Sequence, residues 1–276
     1  MPPRVPSRYP NAMRILLTND DGIDSPGIAA LYDALDGLGE IIAVAPLTVQ
    51  SASSHGMTFS EPLMTQTVTV NERMSGFAVD GRPADCVSLA LRTILPQRFG
   101  PGDTVDLTIS GMNIGANVGI NVLYSGTVGA AVESAFLGVP AIAVSLQIGD
   151  RARTCFGRAA AIARTVIDRI LESRDSGLET HSVLNVNIPR TESDDAPMPP
   201  IRVVEMNTAP GADVYERRVS PAGQVYYWLT GTGMEFTHTA PDTDVEAVLE
   251  GCVTVTPLTY VLTDHARVQT WKERLE

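Results

Sequence analysis

With 276 residues, of which 44% are hydrophobic and 19% charged, the chain can bury one large α/β core and does not have the composition of a disordered protein. Its formal net charge of −12 argues against the dense cationic face that a nucleic-acid duplex requires, so no duplex binding is predicted. No apolar run has the length of a transmembrane helix, and residues 1–12 lack the apolar core of a secretory signal. We therefore predict a cytoplasmic protein without membrane contact, in which residues 1–12 form a disordered extension.

The predicted elements begin with a strand, a loop, a helix and a strand, which is the opening of a parallel α/β sheet. The apolar strand 14–18 leads into an Asn-Asp-Asp-Gly loop at 19–22, after which Ser25 caps a helix that ends before Gly39. The further predicted elements are a strand at 40–46, a hairpin over 64–70 and 77–80, a helix at 83–95, a strand at 105–110, a helix at 127–137, a strand at 139–146, a helix at 151–173, a strand at 181–188, a hairpin over 214–219 and 224–230, a helix at 244–250, a strand at 252–257 and a charged tail. This order predicts a compact α/β body with a C-terminal β-arm.

Three polar clusters follow predicted strands, at the edge where open parallel sheets bind ligands. They are residues 19–22, residues 50–55 (Gln-Ser-Ala-Ser-Ser-His) and residues 110–113 (Ser-Gly-Met-Asn). The adjacent carboxylates of Asp20 and Asp21, with hydroxyl and amide oxygens, suit Mg²⁺, Mn²⁺ or Ca²⁺ better than zinc. Asp-Asp-Gly alone is also an ordinary tight turn, but three converging clusters favour a metal site, because a cation keeps both carboxylates ionised.

A candidate anion site lies in the Tyr-Ser-Gly-Thr-Val run at 124–128, where small hydroxyl residues flank a glycine just before a helix of small residues. The free N–H groups at such a helix start favour an anion. The alternative is an ordinary capped helix entry. Since the run follows the third cluster by one short loop, we predict a phosphate site beside the metal site. His55, in the second cluster, either assists proton transfer or makes a structural hydrogen bond.

Missing residues exclude other enzyme classes. The single lysine, Lys272, lies in the tail, so the chain has neither a P-loop nor the phosphate-binding lysine of haloacid-dehalogenase phosphatases. That second class also needs a carboxylate where Gly22 stands. No Gly-x-Ser-x-Gly elbow indicates a serine hydrolase, and no Gly-x-Gly-x-x-Gly run indicates a dinucleotide cofactor.

Four segments of the chain resemble the signatures of the SurE (stationary-phase survival) 5′/3′-nucleotidases. They are the run Leu-Thr-Asn-Asp-Asp-Gly-Ile-Asp-Ser-Pro-Gly-Ile at 17–28, Ser-Gly-Met-Asn-Ile-Gly-Ala-Asn-Val-Gly at 110–119, the run at 124–128, and Gly-Val-Pro-Ala-Ile-Ala-Val-Ser at 138–145. The similarity extends from about residue 13 to residue 260.

The resemblance implies a Rossmann-like three-layer sandwich with a mostly parallel sheet and a C-terminal β-hairpin arm that is exchanged within a homodimer or homotetramer. It implies one divalent ion per subunit, Mg²⁺ or Mn²⁺ with Ca²⁺ as a possible occupant, held by Asp20, Asp21, Ser51 and Asn113. Asp20 and Asp21 are then the catalytic residues. The predicted substrate or phosphate contacts are Asn19, Ser54, Asn117, Ser125, Gly126 and Thr127. We expect a catalytic domain at 13–200, and an arm, oligomerisation region and tail at 201–276.

The predicted activity is hydrolysis of nucleoside 5′- and 3′-monophosphates by a metal-activated water. Two alternatives remain: an aspartyl-phosphate phosphatase with Asp20 as its nucleophile, and a non-catalytic nucleotide-binding protein of the same fold. Two departures from the family pattern bear on substrate preference. Ala52 stands where glycine is usual after the metal-binding serine, and Arg82 stands where a small hydroxyl residue is usual.

Overall fold

The computed structural model describes residues 13–172, 178–231 and 233–276. The strands are β1 (Met13–Thr18), β2 (Gly39–Pro46), β3 (Thr65–Thr69), β4 (Ser75–Val79), β5 (Leu107–Ile114), β6 (Ala141–Leu146), β7 (Val183–Ile188), β8 (Ile201–Val203), β9 (Tyr215–Val219), β10 (Val225–Leu229) and β11 (Val253–Leu258). The helices are α1 (Pro26–Ala34), α2 (Pro83–Leu89), α3 (Leu95–Phe99), α4 (Gly126–Phe136), α5 (Phe156–Glu172), α6 (Asp244–Leu249) and α7 (His265–Leu275). The predicted extension at 1–12 and the predicted helix end at Ser173 lie outside the described residues.

The described strands form one mostly parallel sheet and one separate hairpin. The sheet order is β3-β4-β2-β1-β5-β6-β7-β11-β8. Six strands that are neighbours in the sheet run parallel to one another: β4, β2, β1, β5, β6 and β7. Strand β3 pairs antiparallel with β4, and β11 pairs antiparallel with β7. Strands β9 and β10 pair with each other as the C-terminal hairpin. The predicted α/β class and hairpin are therefore confirmed.

Helices cover both faces of the sheet, because successive strand residues point to opposite sides. Ile15 and Leu17 of β1 are buried in a cluster with Leu31 of α1 and with residues of α5. Leu16 lies in another cluster with residues of α2 and with Ala130 of α4. Periodic apolar residues in α1 and a buried run in β1 thus produce the three layers.

Strand β5 extends further than the sequence indicated. The glycine-rich run predicted as a loop from residue 111 continues the strand to Ile114, with a break in register against β6 between Gly111 and Asn113. Gly111 has φ +140°, and a Cβ there would lie 2.1 Å from the Val144 carbonyl oxygen. Only glycine fits so close to the neighbouring strand, so Asn113 lies within β5 and not after it.

Other boundaries also differ. The helix predicted at 151–173 begins at Phe156, because Arg151–Arg153 form a separate 3₁₀ turn capped by Asp150. The helix predicted at 83–95 continues through a π-helical turn (Ala90–Ile94) into α3.

Strand β8 and helix α7 were not predicted from the sequence. Strands β8 and β11, both beyond residue 200, pair within the main sheet, and the division of the chain at residue 200 stays a prediction. In the part of the chain that the structure describes, no helix is long and apolar enough to cross a bilayer.

Candidate active site

The strand order creates a topological switch point between β1 and β5. The chain runs outward from β1 through β2 to β4, and then returns to the other side of β1 as β5. Side chains at the carboxyl ends of β1 and β5 therefore face one crevice, which is where open α/β sheets bind ligands. Asp20 and Asp21 follow β1, and Asn113 lies near the end of β5.

A cleft of about 990 Å³ opens at this switch point. The predicted site residues that line it are Asp20, Asp21, Ser51, Asn113, Asn117 and Ser125. The base of the hairpin arm contributes Asp213, Tyr215 and Met234 to the lining. The cleft is large enough for a nucleotide, and polar groups from three separate loops meet in it.

Asp20 is positioned by helix α4. Its side chain is almost fully buried, and the Thr127 hydroxyl donates a 2.5 Å hydrogen bond to its Oδ1. Burial raises the pKa of the Asp20 carboxyl to about 6; hydrogen bonds from Thr127 oppose the rise, and the charge of Asp21 adds to it. The bond from Thr127 fixes the orientation of the carboxyl group, and a bound cation would compensate its buried charge.

Asp21 and Asn113 are oriented by the backbone at the end of β5. Asp21 Oδ2 accepts a 2.8 Å hydrogen bond from the Ile114 N–H, and Asn113 Nδ2 donates to the Gly115 carbonyl at 2.6 Å. Burial raises the pKa of the Asp21 carboxyl, opposed by the Ile114 N–H and by the charge of Arg151. Since the amide nitrogen of Asn113 is engaged, its Oδ1 remains as the oxygen available for a ligand.

Gly126, the first residue of α4, lets Asp20 approach the start of that helix. A Cβ at this position would lie 2.6 Å from Ser53 Oγ and 2.8 Å from the Asp20 Cβ. Ser125 caps the helix, and its Oγ accepts a 3.0 Å hydrogen bond from the Val128 N–H. The positive end of the α4 dipole therefore lies beside Asp20, an arrangement that favours an anion.

The donor set fits a hard divalent cation. Two carboxylates, the Ser51 hydroxyl and the Asn113 amide oxygen belong to one cleft, and these are oxygen ligands of the kind that Mg²⁺ and Mn²⁺ take. Within the described ranges, no group of three or more His, Cys, Asp or Glu residues is arranged to hold a metal ion. Because all four donors are oxygens, the set differs from a nitrogen- and sulfur-rich zinc site.

Comparisons with known proteins agree with this geometry. Residues 15–211 match the family model described as Survival protein SurE. The chain belongs to the SurE family. It is 44% identical over 251 residues to the 5′-nucleotidase SurE of Rhodopirellula baltica, covering 91% of this chain and 94% of that protein. It is 40% identical over 265 residues to the 5′-nucleotidase SurE of Desulforudis audaxviator, covering 95% and 97%. The crystal structure of the SurE protein from Aquifex aeolicus matches with a TM-score of 0.78 and 34% identity, covering 95% of this chain and 100% of that one.

Four of the six predicted substrate contacts of this SurE chain do not line the cleft, namely Gly126 at the start of α4 and three polar residues behind the cleft wall. Asn19 is fully buried and its amide donates to the Gly22 carbonyl at 2.8 Å, so it holds the loop. Ser54 donates to the Leu123 carbonyl at 2.7 Å. Thr127 is fully buried and directs its hydroxyl to Asp20. These side chains orient the walls of the cleft, whereas Asn117 and Ser125 line it.

His55 makes the structural hydrogen bond that was one of its two predicted roles. Its Nε2 lies 2.8 Å from Glu133 Oε2, and Glu133 is buried on α4. Beside this pair the loop passes close to the helix, since a Cβ on Gly129 would lie 2.5 Å from the Ser54 carbonyl oxygen. Neither partner lines the cleft. The pair therefore fixes the loop that carries Ser51 onto α4.

The two departures from the SurE pattern have different structural consequences. Ala52 has φ 53°, a left-handed conformation that costs a residue with a Cβ about 1–2 kcal/mol relative to its usual backbone. Glycine avoids this cost, which explains why the family pattern favours it there. Arg82 lies beside the same loop, with its Nη1 2.3 Å from where a Cβ on Gly56 would stand, and it does not line the cleft.

The hairpin arm supplies one wall of the active-site cleft, which the sequence did not indicate. Asp213, Tyr215 and Met234 belong to a region that the sequence indicated only as an arm, and no motif or periodicity marks them. The sequence indicated only weakly that Glu133 has a specific partner, because it is the one charged residue in the otherwise uncharged sequence of α4.

Proposed function

We propose that this SurE chain is a divalent-metal-dependent phosphatase that hydrolyses nucleoside 5′- and 3′-monophosphates. The observation that carries the proposal is the position of two carboxylates in the cleft at the β1/β5 switch point: Asp20 is buried next to the first turn of α4, and Asp21 is half-buried beside it. That turn offers an anion site, and the carboxylates offer a cation site. The 5′-nucleotidase names of the relatives from Rhodopirellula baltica and Desulforudis audaxviator support the same reaction class.

The charge of the cleft supports a requirement for metal. Asp20, Asp21 and Asp213 line it, and no lysine, arginine or histidine is among its described lining residues. A phosphate dianion is repelled by such a surface unless a cation reverses the local sign. When bound by Asp20, Asp21, Ser51 and Asn113, a divalent ion supplies positive charge to the phosphoryl oxygens and lowers the pKa of a water.

The remaining lining residues position the substrate. The Ser125 hydroxyl and the positive end of the α4 dipole attract the phosphoryl oxygens, which holds the phosphorus next to Asp20 and Asp21. Thr127 and the Ile114 N–H hold the two carboxylates in place while charge develops. The exposed ring of Tyr124 and the ring of Tyr215 offer apolar faces for a nucleobase.

A substrate panel tests this proposal. The purified protein is assayed with nucleoside 5′- and 3′-monophosphates and an aryl phosphate, each with Mg²⁺, with Mn²⁺ and with a chelator. We expect phosphate release that needs a divalent ion and favours nucleotides over the aryl phosphate. Full activity in chelator, or no hydrolysis of any nucleotide with either metal, contradicts the proposal. A single-turnover acid quench that traps phosphate on Asp20 would replace it with the aspartyl-phosphate mechanism.

We further propose that the hairpin arm joins two copies of the chain. Every residue of β9 and β10 is exposed, including Trp228 and Tyr227, and the two strands pair only with each other among the described strands. An isolated two-stranded hairpin with apolar residues on its surface is marginally stable, so a second copy is the expected cover. Light scattering should show an oligomer for the wild type and a smaller species for Trp228→Glu. Phe59→Glu, at an even more exposed aromatic position outside the arm, is the control; no change in mass for Trp228→Glu refutes the interface.

A further inference from the structure

The carboxylate of Asp213 lines the active-site cleft without a partner of its own. It accepts no hydrogen bond and makes no ion pair with the residues that the structure describes, although its side chain is partly buried. Two glycines make room for it: a Cβ on Gly231 would lie 2.0 Å from Asp213 Oδ1, and one on Gly211 would lie 3.2 Å from Oδ2. The backbone thus confines the carboxylate between two close segments while leaving it open to the cleft.

Asp213 reaches the cleft from the arm, whereas Asp20 and Asp21 reach it from the end of β1. At the base of the arm, Gly211 and Phe236 form an antiparallel β-bridge. The base is joined to the body by a hydrogen bond that Asn121 Nδ2 donates to the Gly233 carbonyl. Farther out, Tyr215 pairs with Leu229 as the first rung of the hairpin. Asp213 lies between these two levels, two residues before Tyr215, whose ring is the proposed contact of the nucleobase.

A third carboxylate is unfavourable in a cleft that binds a phosphate ester, unless the ligand also makes a favourable contact with it. It repels the phosphate, and once a ligand displaces water from the cleft it is stabilised where that ligand presents hydrogen-bond donors. The sugar hydroxyls of a nucleoside monophosphate are such donors, and the two oxygens of a carboxylate match two neighbouring hydroxyls.

We infer that Asp213 is the ribose-recognition residue of this cleft and makes the enzyme prefer ribonucleotides over 2′-deoxyribonucleotides. The inference rests on the proposed function and adds the sugar class to it. Loss of the 2′-hydroxyl leaves the confined carboxylate short of a donor, and a polar group left unpaired in a site discriminates strongly against the analogue. Because Asp213 is only partly buried, we expect a preference of about 10-fold.

The test compares kcat/KM for adenosine and guanosine 5′-monophosphates with their 2′-deoxy forms, in the wild type and in Asp213→Asn. The wild type should favour both ribonucleotides, and the ratio should fall towards one in Asp213→Asn, with the loss on the ribonucleotide side. Glu216→Gln is the matched control, since Glu216 lies on the same arm, pairs with Arg218 at 2.8 Å and does not line the cleft. It should keep the wild-type ratio.

Three results would overturn the inference: no sugar preference in the wild type, an unchanged ratio in Asp213→Asn, or a loss confined to guanine substrates with either sugar. That last result would assign Asp213 to the edge of the base. Calorimetric binding of adenosine and 2′-deoxyadenosine reads the same contact without hydrolysis. An inactive protein that still discriminates between these nucleosides through Asp213 would refute the proposed function and support the ribose contact.

Discussion

Replacing Asp20 with asparagine is expected to lower kcat/KM for nucleoside monophosphates by at least about 10³-fold, which corresponds to about 4 kcal/mol of transition-state stabilisation. The amide retains the size of the carboxylate and can still accept the hydrogen bond from Thr127. It has no charge to hold a divalent ion, so binding of Mn²⁺ measured by calorimetry should weaken together with turnover.

The matched control is Asp24→Asn, because Asp24 is exposed in the same loop and does not line the cleft. It should retain activity and Mn²⁺ binding close to those of the wild type. Wild-type turnover by Asp20→Asn in metal-supplemented buffer would contradict the role assigned to this carboxylate.

In the absence of metal, Asp20→Asn is expected to raise the stability of the fold, although it lowers activity. The folded-state pKa of Asp20 is raised to about 6 from 3.8 because burial penalises the ionised form. The protonated carboxyl therefore stabilises the fold fully below pH 3.8, and this contribution, about 3 kcal/mol, is lost as the pH rises through 6. With chelator at pH 7.5, Asp20→Asn should have a higher Tm than the wild type, and the difference should shrink towards pH 4. A lower Tm for the variant at pH 7.5 would show that the ionised carboxylate is not strained by burial.

Gly126→Ala is expected to reduce kcat/KM by about 10²-fold. The added methyl group would stand 2.6 Å from Ser53 Oγ and 2.8 Å from the Asp20 Cβ, so one of these segments must move. A displacement of about 1 Å at a reacting group costs a factor of that size. The measurement is kcat/KM together with affinity for Mn²⁺, since both depend on where Asp20 lies.

Gly157→Ala is the control for this substitution. Gly157 also lies in the first turn of a helix, and a Cβ there meets nothing within 4 Å. Alanine should be neutral for activity and slightly stabilising there, by up to about 1 kcal/mol, because it is the better helix former. If Gly126→Ala retains full activity while remaining folded, the close approach of α4 to Asp20 does not control catalysis.

The sequence alone determined the α/β class, the hairpin arm and the segments that contain the site. Local patterns carry this information: buried runs mark strands, helical periodicity marks α1, and Ser25 followed by Pro26 marks its start. The polar residues that interrupt these patterns at 19–22 and 110–113 identified Asp20, Asp21 and Asn113. These local patterns can be recognised without knowing which strands pair with each other.

The tertiary structure alone decided what each polar side chain faces. Asn19 and Asn117 are both asparagines in polar loops, yet one is buried behind the cleft and the other lines it. The length of β5 depended on the approach of Val144 to Gly111. Asp213 lines the cleft because the base of the arm lies against the switch point. No residue near Asp213 in the sequence indicates this position. These outcomes depend on contacts between residues distant in the chain, and the order of amino acids along one segment does not contain them.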